Sequence, residues 1–143
     1  MRDKIKADSV IALKNHDNIR VGILRYLLSL IDKKALQLPP GEMTEALEIG
    51  VLRKELKDKQ EAREMFSKGN RDDLVKEVDV EIKVVSEYLP AEMTDEELEK
   101  IVEEAVAGAG GNFGAAMKAA MTKVNGRVDG GRISAMVKQK LSA

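Results

Sequence analysis

The stretch Lys123-Val124-Asn125-Gly126-Arg127-Val128-Asp129-Gly130-Gly131 constrains this chain most, because it interrupts helix where apolar-striped segments lie on both sides. Asn125-Gly126 accepts a left-handed backbone at little cost and so ends one helix. The Asp129 carboxylate is placed to accept from the free N–H groups that open the next. The stretch reads as helix, turn, capped helix, with Gly126, Asp129 and Gly130 shaping the turn. Basic side chains Lys118, Lys123, Arg127, Arg132, Lys138 and Lys140 lie in or beside it, against the single acid Asp129. Such a unit carries positive potential and suits a polyanionic partner whose phosphates those cations contact.

The remaining punctuation divides the chain into further helices. Asp17 or Asn18 caps a segment in which Val21, Leu24, Leu27, Leu28, Ile31 and Ala35 recur at helical spacing, and Pro39-Pro40-Gly41 stops it. An imperfect amphipathic helix precedes it, with Ile5, Val10, Ile11 and Leu13 as its apolar positions. Thr44 caps a third helix reaching about Lys68; Leu47, Val51, Leu52 and Leu56 face a core, while Lys57 to Glu64 is polar all round and is expected to project into solvent. Two periods compete in the fourth segment. Leu74, Val78, Ile82, Val85 and Leu89 form a helical stripe, whereas Val78 to Val84 alternates like a strand; helix is preferred, since no partner strand exists.

Thr94-Asp95-Glu96-Glu97 is a capping box opening an acidic fifth helix on Leu98, Ile101, Val102, Ala105 and Val106. Asn112 caps a sixth, with Ala116, Met117, Ala120, Met121 and Val124 inward, and the seventh carries Ile133, Met136, Val137 and Leu141. The fold class is therefore all-α, a four-helix N-terminal domain at residues 1–90 followed by a small three-helix domain at residues 91–143.

Composition removes several kinds of chemistry. Without cysteine there are no disulfides, zinc–thiolate sites or cysteine nucleophiles, and His16 is the only histidine, which leaves a catalytic triad or a multi-histidine metal site without parts. The glycine loop at Gly108 to Gly114 follows a helix and lacks a Gly-Lys-Ser/Thr ending, so it reads as a cap and linker rather than a nucleotide cradle. Glu96, Glu97, Glu103 and Glu104 read as a solvated acidic face before a cation site. No cofactor, metal or catalytic residue is expected. With 24 basic and 25 acidic residues the net charge is −1, so nucleic acid would be met by a local patch. Tyr26, Phe66, Tyr88 and Phe113 are scattered and read mostly as core-facing, which disfavours a base-stacking platform. No apolar run reaches the roughly 20 residues of a membrane span, and the expected setting is soluble and cytoplasmic, without membrane contact.

A resemblance extends this picture. Arg20, Leu24-Arg25, Arg53-Lys54-Glu55, Phe66 to Leu74, Glu81-Ile82, Tyr88-Leu89-Pro90, Glu96-Glu97-Leu98 and Gly126-Arg127-Val128-Asp129-Gly130 follow in an order that resembles the GatB/YqeY family across nearly the whole chain. The resemblance implies that the second domain is similar to the C-terminal tail of the B subunit of glutamine-dependent aspartyl/glutamyl-tRNA amidotransferase, which helps hold tRNA while other domains perform the chemistry. It places Gly114, Met117, Met121, Gly126, Arg127, Asp129 and Gly130 in the family signature. Ala116 stands where relatives carry a bulkier aliphatic residue, and Thr122 stands near a family proline, which implies a looser core. The family is linked to carbon–nitrogen ligase activity with glutamine as amide donor, but no apparatus for an autonomous version is visible here. The expected function is a tRNA-binding or amidotransferase-accessory protein, with tRNA and amidotransferase or other protein subunits as partners. A helical protein–protein adaptor is the alternative.

Overall fold

The computed structural model describes residues 1–142; residue 143, the last of the expected second domain, lies outside the described residues. Those residues form α1 (Arg2–Lys14), α2 (Asn18–Leu36), α3 (Glu45–Lys68), α4 (Asp72–Glu87), α5 (Asp95–Gly108), α6 (Phe113–Val124) and α7 (Gly130–Leu141), with no strand among them. No described helix is long and apolar enough to cross a membrane. The chain divides into two compact units, Met1–Leu89 and a second beginning at Pro90.

In the first unit α1 and α2 form one helical hairpin and α3 and α4 another. Asp17 caps α2 by accepting from the Arg20 N–H at 3.1 Å, and His16 takes a left-handed φ of 59° in the connecting turn. The buried face of α1 is Ile5, Ser9 and Ala12, not the larger set expected. Spacings of four and three put these residues on one stripe, while Val10, Ile11 and Leu13 face solvent. Small residues let α1 pack close to α2, and the buried Ser9 hydroxyl is satisfied by donating to the Lys6 carbonyl at 2.6 Å. Leu24, Leu27, Ile31, Leu52 and Val85 are sealed from solvent in the shared core. Each such side chain contributes roughly 1.5–3 kcal/mol of burial.

The strand-like alternation of α4 yields to the helical period: Val78, Val84 and Val85 are buried and Val80 is left outside. The second half of α3 does not project alone. It lies along α4, where the Lys59 ammonium meets Glu81 at 2.8 Å and Glu55 at 3.2 Å, and Arg63 pairs with Asp79. Polar residues all round a helix are accommodated here by ion pairs across the hairpin rather than by water alone. Asn70, at φ 56°, makes the turn between the two helices.

The Tyr88-Leu89-Pro90 motif closes the unit. The Tyr88 hydroxyl donates to Asp8 Oδ2 at 2.5 Å, Lys4 pairs with the same carboxylate at 3.2 Å and stands 5.7 Å from the tyrosine ring, and Arg20 meets Glu87 at 2.8 Å. The end of α4 is thereby tied to α1 and α2. Burial, and then the bond to Asp8, push the Tyr88 phenol above its usual range, while that same bond holds the Asp8 carboxyl below its own.

The second unit packs α5, α6 and α7 pairwise around Met93, Leu98, Val102, Ala105, Ala116, Ala120, Val124, Val128, Ile133 and Val137. Met121, expected inward, is exposed, and Met117 and Met136 only flank the core. Small side chains line the α5–α6 contact and leave a hollow of about 180 Å³ beside Ala105, Ala115 and Ala119. Ala116 itself is fully enclosed.

Replacing Tyr88 by Phe keeps the ring and removes the bond to Asp8, at an expected cost of about 1 kcal/mol near neutral pH. Asp8, with its folded pKa depressed, contributes above the unfolded value of about 4 and loses that contribution as pH falls through the folded value. Tyr88, with its folded pKa raised, contributes fully below about 10 and loses it as pH rises through the folded value. Urea unfolding of the two proteins should differ most between these limits and converge at both extremes. A difference independent of pH would remove the bond as its origin.

Candidate nucleic-acid interface

The turn between α6 and α7 has the geometry its residues dictate. Asn125 sits at φ 49°, ψ 47°, donating its N–H to the Met121 carbonyl at 3.1 Å, and Gly126 follows at φ 79°. Two successive left-handed residues reverse the chain, and Val128 then plugs into the core. Asp129 caps α7 by accepting from the Gly131 N–H at 3.4 Å. Gly130 opens α7 with no atom within 4 Å of where a Cβ would stand, so its lack of a side chain answers no local crowding.

The basic side chains around this turn do not form a bare patch. Most meet the acidic face of α5. Lys123 Nζ lies 2.5 Å from Glu104, and Lys140 Nζ lies 2.6 Å from Glu99 and 3.0 Å from Glu103. Arg132 pairs with Asp95 and also donates to the Met93 carbonyl at 3.4 Å. Arg127 donates to the Ala91 carbonyl at 3.2 Å, with Glu97 at 3.9 Å. The two arginines thus pin the segment leading into α5, and the two lysines sit further along that helix. Asp95 opposite Arg132 and Glu103 opposite Lys140 mean that α5 and α7 run in the same sense.

The charge pairs leave their mark on protonation. The hydrogen bond from Lys123 holds Glu104 below its usual range, and the bonds to Glu99 and Glu103 hold the Lys140 ammonium above its own. Glu97 is lowered first by the Thr94 N–H that it accepts in the capping box, where Thr94 in return accepts from the Glu97 N–H at 3.2 Å. Asp95, Glu97, Glu99, Glu103 and Glu104 therefore each answer to a cation of α6, α7 or the turn between them.

Lys118 and Lys138 differ from the rest: neither meets a carboxylate among the described residues. Lys138 instead stands 5.8 Å from the Phe113 ring centroid. Phe113, one of four aromatics read mostly as core-facing, is 40% exposed at the start of α6, so one aromatic face lies beside an unanswered cation on the outer surface. Phe113 shares the helical spacing of Ala116, Ala120 and Val124, so only its place in the first turn of α6, directly after the capping Asn112, sets it apart from them. Tyr26 is also exposed, and among the aromatic residues only Tyr88 is buried.

Taken together, the residues describe a helical protein whose second unit presents a mixed-charge face built from α5, α6 and α7. The chain belongs to the YqeY-like protein family, whose model matches residues 2–141. No curated protein matches it.

The left-handed turn should be sensitive to its residue in a defined direction. Asn125→Ala places a Cβ-bearing residue without a compensating side-chain amide at positive φ and should destabilise the fold by about 1 kcal/mol. Asn125→Gly should be neutral or slightly stabilising. Thermal denaturation of both variants decides, and equal losses would mean that the asparagine side chain, not its backbone, matters.

Proposed function

We propose that this chain is a tRNA-binding accessory protein of the kind that serves a glutamine-dependent amidotransferase, supplying no catalytic group of its own. In this reading residues 91–143 act as a tail-like domain whose cations contact phosphates, residues 1–90 form a separate helical domain, and the setting is cytoplasmic. Membership of the YqeY-like family, together with the resemblance of the Gly126–Gly130 signature to the amidotransferase tail, supports this reading.

The observation that carries the reading is the state of the cations. Lys118 and Lys138 are unanswered by carboxylates among the described residues, and Lys138 lies beside the exposed Phe113. Lys123 and Lys140 are answered only by exposed carboxylates of α5, and ion pairs in that position are weak because water and salt screen them. A phosphate can replace such a carboxylate at small cost, and the release of counterions from the nucleic acid supplies the drive. Arg127 and Arg132, held by backbone carbonyls as well, position the unit and contribute less directly.

A titration of tRNA into wild type and the Lys118→Glu/Lys138→Glu double variant tests this. The variant should bind at least about tenfold more weakly at low salt, and its plot of log affinity against log salt should be shallower by about two. Both side chains are exposed, so unchanged circular dichroism is expected alongside. Equal affinity of the two proteins would remove these cations from the account.

A further inference from the structure

From residue 105 to residue 142 the sequence holds one acid, Asp129, and its carboxylate caps α7. Neither α6 nor α7 contains an acidic residue, and the carboxylates that answer their cations all come from α5. Where α5 does not reach, the surface of these two helices carries cations without counter-charge. Lys138, in the last turn of α7, meets no carboxylate among the described residues, and its ammonium stands 5.8 Å from the centroid of the Phe113 ring.

The surroundings of that ring leave it accessible. Phe113 is 40% exposed at the start of α6. The loop leading to it turns through Gly110 and Gly111, at φ 58° and 86°, and a Cβ at either would meet nothing within 4 Å. Asn112, the residue in between, has its side chain engaged in the cap, accepting from the Ala115 N–H at 3.0 Å. Phe113 is also the second unit's only aromatic residue.

A ring and an ammonium so placed fit a ligand that combines a flat π-surface with a negative charge a few ångströms away. A bare phosphate or an acidic peptide supplies the charge without the plane. A nucleotide supplies both, joined through one sugar, and stacking on an aromatic side chain beside a cation is how unpaired bases are held. Bases inside a duplex have their faces covered by their neighbours, so the base in question belongs to a loop, bulge or end. We infer that Phe113 is the stacking site for one unpaired base of the bound RNA, with Lys138 holding that nucleotide's phosphate. This rests on the RNA-binding reading above and sharpens it: cations alone grip any polyanion, whereas the ring selects RNA that presents an unpaired base. One aromatic residue in the unit makes one such contact, short of the multi-ring platform that the scattered aromatics argue against.

The test is titration of tRNA into wild type, Phe113→Leu and Phe113→Trp at several salt concentrations. Leucine keeps apolar bulk and removes the π-face, and should weaken binding about tenfold. The slope of log affinity against log salt should stay as in wild type, because no phosphate contact is lost. Phe113→Trp should bind at least as tightly as wild type, and since the chain has no other tryptophan its emission reports on this site alone. A short unstructured oligouridylate at saturation should quench that emission, and inorganic polyphosphate, which brings charge without bases, should not. Phe113→Leu binding tRNA as tightly as wild type would overturn the stacking site while leaving the cations in place. Quenching by polyphosphate equal to that by the oligonucleotide would do the same, as would no quenching by either. Wild type that binds no tRNA would overturn the RNA-binding reading and this inference together. The emission measurement needs only Phe113→Trp and decides even where Phe113→Leu is less stable.

Discussion

The carboxylates of α5 meet the cations of α6 and α7 along the outside of the second unit, and the rest of that unit's surface chemistry depends on this register. Each pair is exposed and individually weak. Stability comes instead from the enclosed apolar residues, Leu98, Val102, Ile133 and Val137 among them. What the charge register does is orient. Arg132 at Asp95 and Lys140 at Glu99 and Glu103 align α7 with α5, and Lys123 at Glu104 fixes the end of α6. A phosphate-binding role asks for cations held in place yet released cheaply, and exposed carboxylates meet both requirements.

The first unit is organised differently. Its two hairpins meet over a dry core of Leu24, Leu27, Ile31, Leu52 and Val85, and the bond from Tyr88 to Asp8 ties the final turn of α4 back to α1. Beyond that core the α3–α4 hairpin continues as ion pairs, with Lys59, Glu81, Arg63 and Asp79 holding it together. The apolar surface left over on α2 lies at Ile19 and Tyr26, beside α4, and at Leu36 in the last turn.

Much of the helical architecture was legible in the chain because its signals are local. Thr44, Thr94, Asn112 and Asp129 each cap the helix their position implies, and Asn125-Gly126 takes the left-handed turn it is suited to. Side-chain direction was less legible. Val10, Ile11 and Leu13 outweigh Ser9 and Ala12 in hydrophobicity, yet helix packing selected the smaller pair because close approach needs small side chains. The pairing of α5 with the basic residues was not readable either, since Lys140 and Glu99 stand 41 positions apart and only the three-helix packing joins them. Sequence composition showed an acidic helix and a basic turn; their mutual neutralisation is a tertiary fact. The exposure of Phe113 was not legible either, because it shares the spacing of the buried Ala116, Ala120 and Val124 and differs from them only by standing in the first turn of α6.

The most direct test of the account is tRNA binding by a variant in which α5 loses its hold on the lysines, Glu99→Gln/Glu103→Gln/Glu104→Gln, measured at two salt concentrations. These side chains are exposed, so the fold is expected to persist. If Lys123 and Lys140 belong to a phosphate site that the carboxylates occupy in the free protein, the variant binds tRNA several-fold more tightly than wild type and with a steeper salt dependence. Affinity that is unchanged or weaker would mean that the α5 pairs serve only to align the helices, and that Lys123 and Lys140 are not part of a nucleic-acid interface.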